Sequence, residues 1–329
     1  MEGNSLMNIV YASDDKFAEI LGISLLSLFE TNSGDLNIYI LDNCISVENK
    51  NKLLKIAQQH SHSLSFISTS GIISSSLKQQ RGSLSTFSRL YLPILLPTNI
   101  RKVLYLDCDI LVRQNLEELY NIDISDYFCA AVMDCLSAYH LRAIGLQDSD
   151  TYFNAGVLLI NLSRWREENI MEEFKAFTDK FHNKVPYADQ GILNGVLSPK
   201  MKTLPLKYNC YTSLYDFSYS DLIKFRKPSH FYSEKEINNA KKNPAIVHFT
   251  TSFLSVRPWV EGCIHPNVSY WLKYKTLSPW CDMPLKKDSP FWIKKVAVKI
   301  YMILPNSLAV GLVGILHARI IPTIKKRRK

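Results

Sequence analysis

The first half of the chain alternates short apolar, β-branched runs with stretches whose apolar residues recur every three or four positions. Continuous or period-2 apolar runs read as strands, and 3.6-period stretches read as amphipathic helices. Residues 8–12 (NIVYA) predict a buried strand ending at the polar turn Ser13-Asp14-Asp15, and Phe17, Ile20, Leu21, Ser24, Leu25 and Leu28 follow at helical spacing. The same alternation predicts strands at 37–41, 64–68, 102–106 and 127–133, and helices at 47–59 and about 86–95. Beyond these lie an apolar run at 153–161 (FNAGVLLIN), one long helix of alternating charge at 164–181, a short helix at 189–197 and a short strand at 245–249 (AIVHF). Strand–helix alternation of this kind predicts βαβ units around a mainly parallel central sheet with flanking helices, an α/β fold. From about residue 200 the pattern loosens into Tyr-, Pro- and Lys-rich segments, an irregular extension of the same domain.

Composition sharpens this picture at one place. The chain has 329 residues, 47% of them hydrophobic and 21% charged, which excludes a disordered protein and suits one large domain with a full core. Its net charge of +9 is localised: nine of the 39 basic residues and none of the 30 acids fall in 290–329. Residues 1–289 are therefore neutral, whereas a nucleic-acid binder spreads basic groups over a folded face. No nucleic-acid partner is expected. The chain divides into a domain at 7–289 and a basic, apolar tail at 290–329. Seven scattered cysteines with no CxxC pair support neither a zinc ribbon nor a dithiol motif. With a short polar start rather than a secretory signal, they read as reduced thiols of a cytoplasmic protein.

In open parallel sheets, ligands bind outside the carboxyl ends of strands, so the chemistry is sought there. Asp14, after the first strand, reads either as a helix cap or as a ligand contact; no Gly-rich phosphate loop accompanies it. Asp107-Cys108-Asp109 terminates the strand at 102–106, and period-2 geometry turns both carboxylates to one side. Converging carboxylates repel unless a cation joins them, and hard oxygen ligands suit Mg²⁺ or Mn²⁺ bridging to phosphate; a solvated acidic turn is the other reading. Asp148-Ser149-Asp150 has the same spacing in a polar loop and serves as an internal control. His248, ending the strand at 245–249, is either a hydrogen-bonded core residue or a third ligand that tilts the site toward Mn²⁺. Arg257 offers a guanidinium able to meet a phosphate, and Asp189-Gln190 lead into a helix that Asp189 could cap.

Together these segments resemble glycosyltransferase family 8, which holds retaining enzymes such as the bacterial lipopolysaccharide galactosyltransferases and glycogenin. The resemblance rests on Ile9-Val10-Tyr11-Ala12-Ser13-Asp14-Asp15, Thr86-Phe87-Ser88-Arg89-Leu90, and Lys102 through Asp109. It continues through Tyr152-Phe153-Asn154-Ala155-Gly156 to Asn161, then Ala188-Asp189-Gln190-Gly191-Ile192-Leu193-Asn194 and Val247-His248-Phe249, all in the family's order. It implies a GT-A fold and transfer of galactose or glucose from a UDP-hexose to a saccharide or lipid-linked glycan. It also implies that Ala12 and Asp14 line the uridine pocket, that Arg89 lies near the donor and the carboxylates, and that Asp107, Asp109 and His248 hold Mn²⁺ on the diphosphate. Asp134, Asn154, Ala155, Asp189 and Gln190 match positions contacting the donor sugar or facing the reacting carbon.

The family position beneath that carbon is Gln190, an amide and a poor nucleophile, so UDP departure and acceptor attack on one face are expected, with Asp189 the alternative nucleophile. One stretch departs from the family pattern. Thr251 stands where a glycine is usual, the loop to Arg257-Pro258-Trp259 is three residues longer, and Arg257 replaces a lysine. Thr251 and Arg257 are the expected diphosphate contacts.

The tail carries Phe291, Trp292 and Tyr301 among lysines, with a charge-free stretch at 300–318 broken by Pro305-Asn306-Ser307. That pattern suits a helix lying on an anionic membrane surface better than one crossing it. A solvated basic tail is the other reading. Two rival functions stay open: a sugar-nucleotide nucleotidyltransferase, which normally carries a Gly-rich basic loop missing from residues 11–16, and an inactive UDP-sugar or lipid-surface binding module.

Overall fold

β1 (Met7–Asp14), β2 (Leu36–Asn43) and β3 (Ser63–Ser68) form where apolar and β-branched residues alternate, and helices α1 (Ala18–Thr31) and α2 (Val47–Gln59) cross between them. α2 begins where the Ser46 side chain accepts the Asn49 amide at 3.3 Å, a conventional N-cap. β4 (Lys102–Leu106), β5 (Ile110–Val112), β6 (Cys129–Met133), β7 (Phe153–Asn161), β8 (Met201–Thr203), β9 (Cys210–Tyr211) and β10 (Ile246–His248) follow. The computed structural model describes residues 6–72, 85–252, 254–288, 298–299 and 301–327. Phe291 and Trp292 of the tail lie outside the described residues.

Seven strands make one sheet in the order β3-β2-β1-β4-β7-β6-β8, and β5-β10-β9 make a second, smaller one. β3, β2, β1 and β4 are mutually parallel, as is β6 with β8; β7 runs antiparallel to both of its neighbours. The mainly parallel expectation holds, with β7 the exception. Period-2 geometry divides the core between the two faces of the large sheet. Ile9, Tyr11, Leu104 and Leu106 face one side with α1 and the small sheet, while Val10, Ala12, Val103 and Tyr105 face the other with Trp165, Phe174 and Ile192.

Three sequence expectations change. The single helix at 164–181 is two, Leu162–Glu167 and Ile170–Lys180, broken at Asn169 with φ +48°. Trp165 and Ile170 are both fully buried, but five residues is a poor helical repeat; a left-handed residue re-phases the chain, and asparagine tolerates that conformation. The helix at about 86–95 is α-helical only over Leu92–Leu95, after a 3₁₀ segment Ser85–Tyr91. The region after 200 is more regular than expected, with helices Tyr219–Arg226, Glu234–Lys242 and Val268–Leu277. The second of these carries a full capping box from Ser233 and Glu236.

His265 in this region packs against Phe249 and Tyr215 at ring separations of 4.9 and 4.6 Å, and its Nδ1 accepts the Asn267 amide at 3.1 Å. Burial pushes its pKa from 6.5 down to about 4. A neutral imidazole in the folded state and a protonated one in the unfolded state mean that its contribution is full above pH 6.5 and is lost as pH falls through about 4. The urea midpoint is therefore expected to fall less steeply over that interval in His265→Gln than in the unaltered protein; equal slopes would rule this out.

Candidate active site

The chain leaves β1 for β2 and β3 on one side, then returns to place β4 on the other. That reversal opens a crevice at the carboxyl ends of β1 and β4. Because β7 is antiparallel, its first residues reach the same end: Leu106 pairs with Val157, and the Asp107 amide donates to the Gly156 carbonyl at 2.8 Å. β6 also ends here, with Met133 opposite Phe153. A cleft of about 360 Å³ results. It is lined by Ala12 and Asp14, by Arg89, by Asp107 and Asp109, by Asn154 and Ala155, by Asp189 and Gln190, and by His248, Thr251 and Arg257. Twelve of the thirteen residues expected at the site thus surround one cavity. Asp134 lines a small pocket of its own with Met133 and Tyr152 and is joined to the cleft by hydrogen bonds: Gln190 Nε2 and Asn154 Nδ2 donate to its Oδ2 at 3.1 and 3.3 Å.

The two sheets meet at the paired carboxylates. Asp107 follows the last residue of β4, and Asp109 precedes the first of β5. β10 pairs antiparallel with β5, His248 opposite Ile110, which sets the imidazole beside both acids. His248 Nε2 lies 3.1 Å from Asp109 Oδ1 and 3.8 Å from Asp107 Oδ2, and one ligand atom from each residue falls within 4.8 Å of the others. The other ring nitrogen, Nδ1, is 3.0 Å from Asn209 Oδ1. An amide oxygen only accepts, so Nδ1 carries a proton and Nε2 is the nitrogen turned toward the two carboxylates. Two carboxylates and an imidazole nitrogen converging on one point are a donor set that fits a divalent cation, which would take the place of a proton on Nε2.

Burial raises the Asp107 pKa above the ordinary carboxylate range against the pull of Arg89, whereas for Asp109 the charge and hydrogen bond of His248, with Arg257 behind, outweigh burial and hold it low. Burial works against protonation of His248, but Asp109 and Asp107 more than offset it and raise its pKa.

Arg89 is the buried hub of the opposite wall. Its Nη2 contacts Asp107 Oδ1 at 2.7 Å, its Nε lies 3.3 Å from Asp189 Oδ2 and donates to the Thr86 carbonyl at 3.1 Å, and Nη1 donates to the Ala155 carbonyl. The guanidinium stacks over the Tyr105 ring at 4.4 Å. Gln190 is held at both ends: Oε1 accepts the Ala155 amide at 3.1 Å and Nε2 donates to Asp134. Asp189 lies within the first turn of helix Ala188–Leu197 rather than at its cap, which is Tyr187. Asp14 likewise makes no capping bond and faces the cleft instead.

The longer loop after His248 brings its cation back to the acids. Arg257 Nη2 lies 3.5 Å from Asp109 Oδ2 and donates to Thr251 Oγ1 at 2.7 Å. Asp216 anchors this loop by accepting from both Ser252 and Ser255. The control pair does not join the cleft: Asp148, exposed, bonds Arg142, and Asp150, half-buried, accepts the Gln147 amide at 2.7 Å.

Two residues escape sequence reasoning. Asn209 sits fully buried just before β9, with Nδ2 donating to Asn154 Oδ1 at 2.9 Å while its oxygen orients His248; a two-residue strand leaves no periodic trace. Gly156 is visible as a glycine interrupting an apolar run, but its reason is spatial. A Cβ there would come within 2.1 Å of the His248 ring and 3.1 Å of Asp107 Oδ2. Gly156→Ala is expected to lower divalent-cation affinity by about tenfold or more, because displaced ligands close poorly around an ion. Titration calorimetry with Mn²⁺ checks this, and unchanged affinity would contradict it.

The mixed α/β sheet with its flanking helices matches that of GT-A glycosyltransferases. The profile of glycosyl transferase family 8 matches residues 8–263, and the chain belongs to that family. It is 26% identical to a lipopolysaccharide 1,2-glucosyltransferase of Escherichia coli over 87% of its own length and 83% of that protein. It is 36% identical to a Haemophilus influenzae protein named as a glycosyltransferase, a match spanning 62% of this chain and 63% of that one. Among solved structures it resembles the galactosyltransferase LgtC in complex with donor and acceptor sugar analogues, with a TM-score of 0.69 and 25% identity, covering 83% of this chain and 96% of LgtC.

Proposed function

We propose that this glycosyltransferase moves a hexose, galactose or glucose, from a UDP-hexose to a saccharide or lipid-linked glycan acceptor with retention of the anomeric configuration. The observation that carries the reading is the convergence of Asp107, Asp109 and His248 beside Arg257, in one cleft with Gln190. Asp107, Asp109 and His248 would hold a divalent cation, and the nitrogen ligand favours Mn²⁺ over Mg²⁺. When bound, that ion supplies electrophilic stabilisation to the departing diphosphate.

The chain's own groups do the rest. Arg257 and Thr251 meet the diphosphate, and Ala12 and Asp14 receive the uridine. Both ends of the Gln190 amide are engaged, so it is fixed in orientation beneath the sugar and shields an oxocarbenium-like carbon rather than attacking it. Asp189, paired with the buried Arg89, is a weakened nucleophile, which favours departure and attack on one face. Asp134 orients Gln190 and Asn154 at the donor sugar.

We assign 7–289 as the catalytic part and the tail from 290 as its attachment to the cytoplasmic face of an anionic membrane. Among the described residues no helix is long and apolar enough to cross a membrane. Leu308, Leu312, Ile315, Leu316, Ile320 and Ile324 are exposed at roughly helical intervals and lead into Lys325-Lys326-Arg327-Arg328-Lys329. Exposed apolar side chains followed by a basic cluster fit a helix lying in the headgroup region. Full-length protein incubated with UDP-galactose or UDP-glucose and Mn²⁺ is expected to release UDP, faster with a glycan acceptor and not at all with chelator. Release of pyrophosphate would indicate a nucleotidyltransferase, and tight UDP binding without turnover would indicate a binding module.

A further inference from the structure

The C-terminal helices touch the catalytic domain through a column of rings. Helix Asn306–Ile315 lies on helix Tyr219–Arg226 with Ala309 and Val310 buried, and Gly314 allows the approach: a Cβ there would stand 2.9 Å from the Lys224 carbonyl. Its continuation, Leu316–Ile320, widens into a π-helical turn that carries His317. The His317 ring stacks on His140 at 5.6 Å and 26°, and His140 stacks on Tyr187 at 5.3 Å and 29°.

Both imidazoles are fixed by hydrogen bonds as well. Arg226 Nη1 donates to His317 Nε2 at 3.1 Å. Ser137 Oγ donates its one proton to the Ala318 carbonyl, so its 2.9 Å contact with His140 Nδ1 is one in which the imidazole donates. The tail and the Ala138–Ala143 helix are thereby locked together at the ring column.

The column ends on a strained turn. Tyr187 (φ +68°) and Ala188 (φ +55°) are consecutive left-handed residues, neither of them glycine, immediately before Asp189 and Gln190. Such residues persist only where surroundings over-determine them. The turn is also tight: a Cβ on Gly191 would fall 1.9 Å from the Pro186 carbonyl. Tyr187 meets Tyr152 edge-on at 6.3 Å, and the Tyr152 carbonyl accepts the Asp134 amide at 2.8 Å.

We propose that His317 is a positioning residue: the column His317–His140–Tyr187 holds the left-handed turn that presents Gln190 and Asp189, so docking of the C-terminal helix sets the rate of sugar transfer. The tail is then part of the catalytic apparatus and not solely an anchor. The kinetic arm rests on the UDP-hexose reading above; the structural arm does not.

The test uses full-length protein and two variants, His317→Ala and His317→Phe, the second keeping a stacking ring. In His317→Ala, kcat for Mn²⁺-dependent UDP release is expected to fall about tenfold, as misplacement of a reacting geometry does, while KM for the UDP-hexose changes less than about twofold. His317→Phe restores kcat. Hydrogen–deuterium exchange of the 186–194 segment, whose Ala188 and Gly191 amides bond within the turn, is expected to quicken about tenfold in His317→Ala only, with Tm unchanged. Unaltered exchange in His317→Ala, failure of Phe to restore, or parallel loss of kcat and Tm would each overturn the proposal. If the unaltered protein turns over no UDP-hexose, the functional reading fails while the exchange comparison still decides this one.

Discussion

Asp109→Ala is expected to reduce Mn²⁺-dependent UDP release by about a thousandfold, the scale on which removing electrophilic stabilisation of a leaving group acts. Asp109 is the acid that stays ionised most readily here, held low against its burial by His248 and Arg257. Its two oxygens face different partners, Oδ1 the imidazole at 3.1 Å and Oδ2 the guanidinium at 3.5 Å. Alanine therefore removes one ligand and also leaves Arg257 without the anion that aims it at the cleft. Asp109→Asn keeps the shape but not the charge and is expected to fall nearly as far. Asp148→Ala, which changes an acid of the same spacing bonded only to an exposed arginine, is expected to leave the rate unchanged. Initial rates across a Mn²⁺ titration decide the matter: if Asp109→Ala kept the original metal dependence, the ligand assignment would fail.

Arg89→Met is expected to destabilise the fold by about 3–5 kcal/mol, the range seen when one partner of a buried ion pair is removed. Burial opposes the guanidinium's charge, but Asp107, Tyr105 and Asp189 together keep it firmly protonated. Without it, Asp189, with a side chain only 3% exposed, loses its ion-pair partner, and the carbonyls of Thr86 and Ala155 lose donors. Arg89→Lys is expected to recover part of this loss, because one ammonium cannot reach both carboxylates and both carbonyls as the planar fork does. Added Mn²⁺ is expected to restore some stability to the Met variant, since a cation between Asp107 and Asp109 replaces part of the missing charge. Urea unfolding with and without the ion measures both effects, and a loss below about 1 kcal/mol would show that the acids do not depend on Arg89.

What could be read from the sequence depended on how local its cause was. β4 ends where its apolar run meets Asp107, and the observed strand has the expected bounds because the cause is a change from apolar to charged residues within the run. Most of the cleft residues were legible as a set because they lie within a few positions of the end of a strand or helix, where the alternating pattern stops. Arg89, inside Ser85–Tyr91, and Thr251 and Arg257, in a loop, were legible as site residues only through the family resemblance. The break at Asn169 was not legible: 164–181 reads as helical throughout, and only the burial of Trp165 and Ile170 against one face forces the re-phasing. Asn209 was invisible for the same reason, since its partners His248 and Asn154 lie 39 and 55 residues away. Asp134 was legible as a strand-end acid, but its links to Asn154 and Gln190 were not, because those hydrogen bonds span 20 and 56 residues. The hydrogen bonds that seat the tail beside the ring column join positions 91 and 181 residues apart, and no window of sequence contains them.

The small sheet β5-β10-β9 has a consequence in time. Asp109 and His248 become neighbours only when β10 pairs with β5, a closure spanning 139 residues. A nascent chain that has completed β1 through β7 carries both aspartates but lacks the imidazole, its Asn209 support and Arg257. Long-range pairing of this kind forms late. The three groups that could hold a divalent cation are therefore expected to come together only after the chain has been made past His248 and has folded back onto β5.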